Sequence, residues 1–245
     1  MNEMAIQPVG YTEETPDGFI LGDGAFFAEV DAIADRTTKP TYDEVITIME
    51  NASSAGKAFG GTRDNATFTF TTTKEQVPVN DMKNPIPGTQ VITAQEARLT
   101  GTMIDLKIAN IERVIPTSYI DPVDEGLTAT SVILQSHYLK NIMHVSMYGN
   151  GDLCVIRLDN ALQTGDVTIN FGQGVNTATL PFNYLGHVSG IKNAQFAPFK
   201  VWRVPMPTGG AGVAQQAIAQ ARGEVAETEK ATKANSKYAP GEAEK

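Results

Sequence analysis

The chain has 245 residues, of which 41% are hydrophobic, 19% charged and 7% aromatic, enough for one large or two small domains with an ordinary core. Its net charge of −9 gives no basic footprint for gripping nucleic acid. Its single cysteine, Cys154, excludes an internal disulfide and favours intracellular assembly. Apolar runs are too short for a membrane span, and the N-terminus lacks the pattern of a signal peptide.

The two ends of the chain differ in composition from its middle. Residues 1–18 are polar and acidic and contain Pro8 and Pro16, so they are predicted to form an N-terminal arm. Residues 206–245 become Gly-rich and then Ala-, Glu- and Lys-rich, without a bulky apolar stripe. They are predicted to be a flexible C-terminal tail whose removal after Thr208 leaves the fold intact. A single domain is predicted over 19–205.

The first part of this domain is predicted to hold strands between turns and loops. Phe and Thr alternate over Thr67–Thr73, which places the two phenylalanines on one face of a strand. The polar stretches 51–66 and 74–88 are predicted to be loops. Further apolar or strand-like segments are Phe19–Leu21, Ala25–Ile33, Glu44–Glu50 and Val91–Leu99.

One helix is predicted after these strands. Thr102 with Asp105 resembles a capping box. An apolar stripe follows at helical spacing and ends before Pro116: Ile104, Ile108, Ile111 and Ile115.

The second half is predicted to be strongly β. Short strand-like segments alternate with Gly- and Asn-rich turns, a pattern typical of a sandwich or barrel. The predicted strands are Ala129–Gln135, Leu139–Tyr148, Leu153–Leu158, Asp166–Phe171, Thr177–Tyr184 and Phe199–Val204. The predicted fold class is therefore mainly β, a β-sandwich or β-barrel-forming domain with one flanking α-helix.

The histidines and the cysteine do not form a catalytic pattern. His137 and His144 are seven residues apart, which places them on opposite faces of a strand. Neither they nor His187 have ligand spacing, so each is interpreted as a structural or surface residue. Cys154 lies in an apolar run and is interpreted as core.

Other candidate sites fail on their spacing. Gly56-Lys57-Ala58 lacks the first glycine and the hydroxyl of a phosphate-binding loop. The segment Asp121–Gly126 lacks two ligands of a calcium loop. A solvated acidic face is the favoured interpretation of the cluster Asp23, Glu29, Asp31 and Asp35. The sequence therefore predicts no catalytic residue, no cofactor and no metal site, and a protein that is not an enzyme.

Three stretches together indicate a family. They are the loop and alternating strand Gly56–Thr73, the segment Gly88–Ile115 that runs through Leu99-Thr100-Gly101-Thr102-Met103, and Thr179–Tyr184 with His187 and Ala197–Trp202. Over about residues 19–205 the order of these elements resembles the tail tube, or major tail, proteins of long non-contractile-tailed bacteriophages.

The resemblance implies a structural virion protein that assembles with copies of itself. In that family six subunits close into a ring, and stacked rings form a hollow tube whose inner sheets join into a β-barrel around the passing DNA. It implies a tape-measure protein and a tail terminator as partners, a place in the virion tail, and assembly in the cytoplasm of the host bacterium. Net negative charge fits a conduit that must not grip DNA.

The sequence leaves two other functions open. One is a different virion part, either a capsid decoration or a head–tail joining protein. The other is a carbohydrate-binding β-sandwich module. Such modules present exposed aromatic rings, whereas the only tryptophan, Trp202, lies in a predicted strand and is expected in the core or an interface.

Overall fold

The computed structural model describes residues 20, 24–30, 38–77, 84, 87–172, 178–190, 196–207, 216–220 and 222, without the side chains of 64 and 65. The predicted arm 1–18 lies outside the described residues, as do Asp23, Asp31, Asp35 and most of the predicted tail. Within the described ranges, no helix has the length and apolar character needed to cross a membrane.

The fold is mainly β, as predicted. Strands account for 45% and helices for 17% of the described residues. The elements are β1 Ala25–Ala28, α1 Tyr42–Ser54, β2 Thr62–Gln76, β3 Gln90–Met103, α2 Ile108–Val114, β4 Ser118–Ile120, β5 Leu127–Ala129, a short 3-10 helix Gln135–His137, β6 Leu139–Met147, β7 Leu153–Gln163, β8 Leu180–Leu185 and β9 Phe199–Val204.

Seven strands form one large antiparallel sheet in the order β1-β6-β7-β8-β3-β2, and β9 also pairs with β7. The long strand β7 joins two halves of this sheet. Its first part, Leu153–Leu158, pairs with β9. Its end, Leu162–Gln163, pairs with β8. We call β1, β6, β9 and the start of β7 the β6 half, and β8, β3, β2 and the end of β7 the β3 half. Strands β4 and β5 form a separate hairpin.

Two cores lie on opposite faces of the β6 half. On one face the strands pack against α1, whose Val45 and Met49 are fully buried against Val145 and Val155. On the other face Ile142 shares a core with Leu99 of the β3 half. Coverage on both faces explains why successive residues of β6 and β7 are buried, including several polar ones.

The segment Glu44–Glu50 is a helix, and the strand prediction there is wrong. Thr41 caps α1 with a full capping box, because its hydroxyl accepts from the Glu44 N–H and the Glu44 carboxylate accepts from the Thr41 N–H. The buried residues recur at helical spacing and present one apolar face. They are Tyr42, Val45, Ile46, Ile48, Met49 and Ala52.

Helix α2 forms near its predicted place but begins later. Thr102 remains in β3, where it pairs with Arg63 and Pro181, so the predicted cap is wrong. The N-cap is Lys107, without a side-chain hydrogen bond. Helix α2 buries Asn110 and Val114. Strand pairing on both sides of Thr102 outweighs the local capping signal.

Two predicted strands are largely absent, and two predicted loops are partly regular. Within Ala129–Gln135 only Ala129 belongs to a strand, and Asp166–Phe171 forms only an isolated bridge at Asn170. The stretch 51–66 begins in α1 and ends in β2, and β2 continues through Gln76. The predicted strands at Leu139–Tyr148, Leu153–Leu158, Thr177–Tyr184 and Phe199–Val204 correspond to β6, β7, β8 and β9.

Part of the predicted tail packs on the domain. Residues 216–220 are helical, and Ala217 and Ile218 are buried in the same core as α1. The expectation that nothing beyond residue 205 contributes to the core is therefore wrong at these two positions. Ala217 and Ile218 are not part of a longer series of apolar residues at helical spacing, so the sequence did not predict their burial.

Candidate self-association surface

The longest hairpin of the protein extends past its neighbouring strand. Strands β2 and β3 pair from Thr62 opposite Met103 to Gln76 opposite Gln90, with register shifts between Arg63 and Thr67 and between Thr73 and Lys74. Strand β8 pairs with β3 only over Arg98–Met103. The far half of the hairpin therefore lacks a described neighbour on the β8 side, and we call residues 70–77 and 90–96 the arm.

Local sequence explains why the arm is a strand pair. Thr and Phe alternate in β2, and both residue types favour the pleated backbone. The register shifts between Thr73 and Lys74, leaving Thr93 without an opposing residue. Such a bulge increases the local twist of the hairpin. Gly88 next to the turn has a φ of 91°, a conformation that glycine adopts without strain.

The arm is anchored at its base by aromatic contacts. The rings of Phe68 and Phe70 each lie 4.9 Å from the ring of Phe199 in β9. Phe68 is also opposite the buried Leu99. These contacts fix the direction in which the rest of the hairpin leaves the domain.

Beyond this base the arm exposes apolar side chains on both faces. All residues from Gln90 to Glu96 are exposed, as are those from Thr73 to Val77. Val91 and Ile92 are adjacent in β3 and expose 48% and 57% of their surface. Adjacent strand residues point to opposite faces, so each face of the arm presents an apolar side chain to solvent.

The base of the β3 half has a polar outer face. Thr67 pairs with Thr100, Thr69 with Arg98 and Thr71 with Glu96 across β2 and β3. Arg98 Nη2 lies 3.0 Å from Glu96 Oε2, and both side chains are partly exposed. This face therefore carries hydroxyl groups and one neutralised charge pair.

His144 of β6 is buried between β1 and β7, where it pairs with Phe26 and Ile156. Its ring lies 4.5 Å from that of Phe26, and neither ring nitrogen bonds to a described residue. Burial lowers the pKa of His144 to about 4, so the ring is neutral at pH 7. A general base needs access to its substrate proton, which this position does not provide.

The other two histidines have structural contacts and lie apart in the chain. His137 Nδ1 accepts a hydrogen bond from the N–H of Leu134 in the 3-10 helix. His187 packs edge-on against Tyr138 with a centroid distance of 5.0 Å, and its Nδ1 lies 3.1 Å from Asn160 O. Two of the three histidines thus hold turns in place.

Cys154 and Trp202 are core residues, as predicted. Cys154 is buried with a free thiol, and Trp202 is 6% exposed in β9. Trp202 therefore offers no ring surface to a sugar.

The loop and acidic candidates have ordinary structural roles where they are described. Lys57 Nζ donates to the backbone carbonyl of Glu29, and Gly56 O accepts from Arg113. Asp121 and Asp124 accept backbone N–H groups within their own turn. Glu29 is exposed. Among the described side chains, no group of three His, Cys, Asp or Glu is arranged to hold a metal ion.

A small polar pocket of about 220 Å³ lies beside α2 and is lined by residues that include Glu29, Glu112, Arg113 and His137. Arg113 is already engaged, donating to Asn110 Oδ1 and Gly56 O. Burial lowers the pKa of Arg113, while the carboxylates of Glu29 and Glu112 act in the opposite direction. The pocket therefore does not offer a free cationic group.

The sequence matches no protein-family model, and no curated protein matches it either. The arm is thus the feature of the described structure that most needs a functional explanation. Alternating Phe and Thr predict the strands of the arm, but this pattern does not show where the neighbouring strands end.

Proposed function

We propose that the protein is a structural subunit that assembles with copies of itself into stacked rings forming the hollow tail tube of a bacteriophage. The observation that supports this most is the arm, whose Val91 and Ile92 are exposed on opposite faces. A two-stranded ribbon is marginally stable in water by itself, and long exposed edges promote pairing with other chains. An arm of this kind suits a subunit that is completed by its neighbours.

The shape of the sheet supports the same proposal. The β3 half has four strand segments, and its base below the arm has one covered face and one polar face. In a β-sandwich subunit of tail-tube type, the β3 halves of neighbouring subunits would lie side by side. Together they would close into one barrel around the lumen. Ring closure also removes free strand edges, which is the physical advantage of a barrel.

The polar outer face is the proposed lining of the lumen. Its threonines and the Glu96–Arg98 pair carry no excess positive charge. DNA phosphates bind proteins mainly through lysine and arginine, so such a lining would let DNA slide. The family resemblance adds further parts to this proposal. They are a ring of six subunits, the tape-measure protein and the tail terminator as partners, and the virion tail as location. The proposal also includes the absence of enzymatic activity.

The test is negative-stain electron microscopy of the purified chain across a concentration series. We expect hollow rings or tubes with the wild-type chain. Val91→Asp together with Ile92→Asp should abolish them while leaving the melting temperature of the isolated subunit nearly unchanged, because both side chains are exposed. Val123→Asp is the matched control, since Val123 is 90% exposed and lies outside the arm.

Two outcomes would contradict the proposal. One is that only small particles appear at every concentration and also after addition of preformed tail fragments as nuclei. The other is that rings form equally well with both arm substitutions. Saturable binding of the particles to purified capsids would instead favour a decoration or joining protein.

A further inference from the structure

A second unusual apolar surface lies far from the arm in sequence. Residues Thr130–Leu134, which we call the aliphatic segment, connect β5 to the 3-10 helix. Val132, Ile133 and Leu134 are consecutive and expose 58%, 54% and 53% of their surface. Three successive exposed aliphatic residues are unusual on a soluble surface and indicate an interaction site.

The backbone of this segment is held at its ends and at Val132 O, which accepts from Thr130 Oγ1, whereas two N–H groups in its middle are open. The N–H of Thr130 donates to Thr117 O, and the N–H of Leu134 donates to His137 Nδ1. The N–H groups of Val132 and Ile133 make no hydrogen bond to any described residue. Because Val, Ile and Thr favour strands, the segment has the composition of a strand without a partner.

An open strand edge beside a groove with a largely apolar opposite wall lies elsewhere on the same subunit. The last backbone bond between β3 and the β8 side joins Gly186 N–H to Ala97 O. Past this bond a cavity of about 370 Å³ runs along Ile92–Glu96 of β3. Its opposite wall is formed by Leu185–Val188 and Phe196–Pro198.

We propose that this groove binds the aliphatic segment of a second copy of the chain as an added strand. The open edge and the segment each have five residues, which is roughly 17 Å of extended chain. The segment is uncharged, and the only charged side chain in the groove, Glu96, is paired with Arg98. Alternate side chains of an added strand would then fill the apolar wall, as in other cases of strand addition.

The occupant is a second copy because the segment is exposed in its own subunit. Donor and groove are different surfaces, so the contact can repeat from subunit to subunit. This inference rests on the self-association proposed above and names the surfaces that would join neighbours. Because Ile92–Glu96 belong to the arm, the inference names what the β3 edge of the arm binds, and peptide binding tests this contact separately from ring formation.

The first test measures the contact without requiring assembly. A fluorescent peptide of residues 129–136 is titrated with the full chain, and its anisotropy is followed. We expect saturable binding that weakens by about tenfold or more with Ala94→Arg, and equally with Ala197→Arg on the opposite wall. Thr168→Arg, an exposed position outside the groove, should leave the affinity unchanged.

The second test joins two copies directly. In a Cys154→Ala background, separately purified Ile133→Cys and Ala94→Cys chains are mixed and oxidised with diamide. We expect the mixture to form a cross-linked dimer faster than either chain alone. The proposal would be overturned if the peptide did not bind, or if its affinity were the same with and without both groove substitutions. It would also be overturned if the unmixed samples formed as much cross-linked dimer as the mixture.

The outcomes separate the two proposals. If rings or tubes form but neither the peptide nor the cross-link behaves as expected, the groove contact is wrong and self-assembly stands. If the peptide and cross-link behave as expected but only dimers appear, the tube is wrong and the groove contact stands. A peptide of residues 1–18 is also tested as a competitor. If it displaces the labelled 129–136 peptide more effectively than unlabelled 129–136 does, the N-terminal residues 1–18 are the occupant of the groove. That result would overturn the proposal that the aliphatic segment binds there.

Discussion

Arg157 Nε donates a hydrogen bond of 2.7 Å to Asp159 Oδ1 in the interior of the protein. The residues are two apart in β7, so both side chains lie on the same face of the strand. The guanidinium also lies 6.0 Å from the ring of Trp202, and Arg157 Nη1 has no partner among the described residues. A charge pair is thus enclosed next to an otherwise apolar core.

Removing either member of this pair should destabilise the subunit strongly, because the remaining charge would be buried without its counterion. We expect Arg157→Met or Asp159→Asn to lower the free energy of unfolding by about 3–5 kcal/mol. The double variant Arg157→Met/Asp159→Leu should recover most of the loss. Urea denaturation measures the free energy of unfolding of each variant. A loss below about 1 kcal/mol in both single variants would show that the pair is not a significant stabilising contact.

His144 makes stability depend on pH in a defined window. Its pKa is about 4 in the folded protein and near its ordinary value of 6.5 when unfolded. Between these pH values the unfolded state binds a proton that the folded state does not. The free energy of unfolding therefore falls as the pH drops from 6.5 to 4. Above pH 6.5 His144 does not change the free energy of unfolding. The expected loss is about 3 kcal/mol at the lower limit.

The measurement for His144 is a comparison of urea denaturation at pH 7 and pH 4.5 for the wild type and His144→Leu. The leucine variant should lose much less stability on acidification, since only the other groups still titrate. An identical pH dependence in both chains would mean that the buried ring is not the cause.

The strands of the β6 half could be predicted from sequence because apolar and aromatic residues recur in short segments that are bounded by turn residues. Strand β9 is predicted with its observed bounds, Phe199–Val204, and β6 to within one residue. The prediction of a strand at Glu44–Glu50 failed although the capping box Thr41–Glu44 and the helical spacing of Tyr42, Val45 and Met49 were visible. The β-branched residues Val45, Ile46 and Ile48 favour a strand locally, but burial of one helical face outweighs that preference.

The candidate surfaces could be predicted less well, because they depend on where neighbouring strands end. Nothing local in Val91-Ile92 distinguishes a covered strand from an exposed one, and the difference arises because β8 stops opposite Arg98. At Val132–Leu134 the sequence predicted a strand, and the subunit leaves the segment unpaired. A single chain can encode a strand whose partner is supplied only on assembly.

The capping box of α1 should contribute measurably to stability. We expect Thr41→Ala to lower the free energy of unfolding by about 1 kcal/mol, because an N–H in the first turn loses its acceptor. Thr41→Ser keeps the hydroxyl and should stay close to wild type. Thermal unfolding followed by far-ultraviolet circular dichroism distinguishes the two, and equal melting temperatures for both variants would argue against the cap.

The segment at 216–220 should stabilise the domain although it lies beyond the strands. Ile218 is 7% exposed and packs with α1 and the β6 half, so Ile218→Ala removes buried apolar surface. We expect a loss of about 1–3 kcal/mol in the free energy of unfolding, and a loss at least as large when the chain is truncated after Thr208. Gln216→Ala is the control, since Gln216 is exposed in the same segment. A truncated chain with the wild-type melting temperature would show that this segment does not hold its buried position in solution.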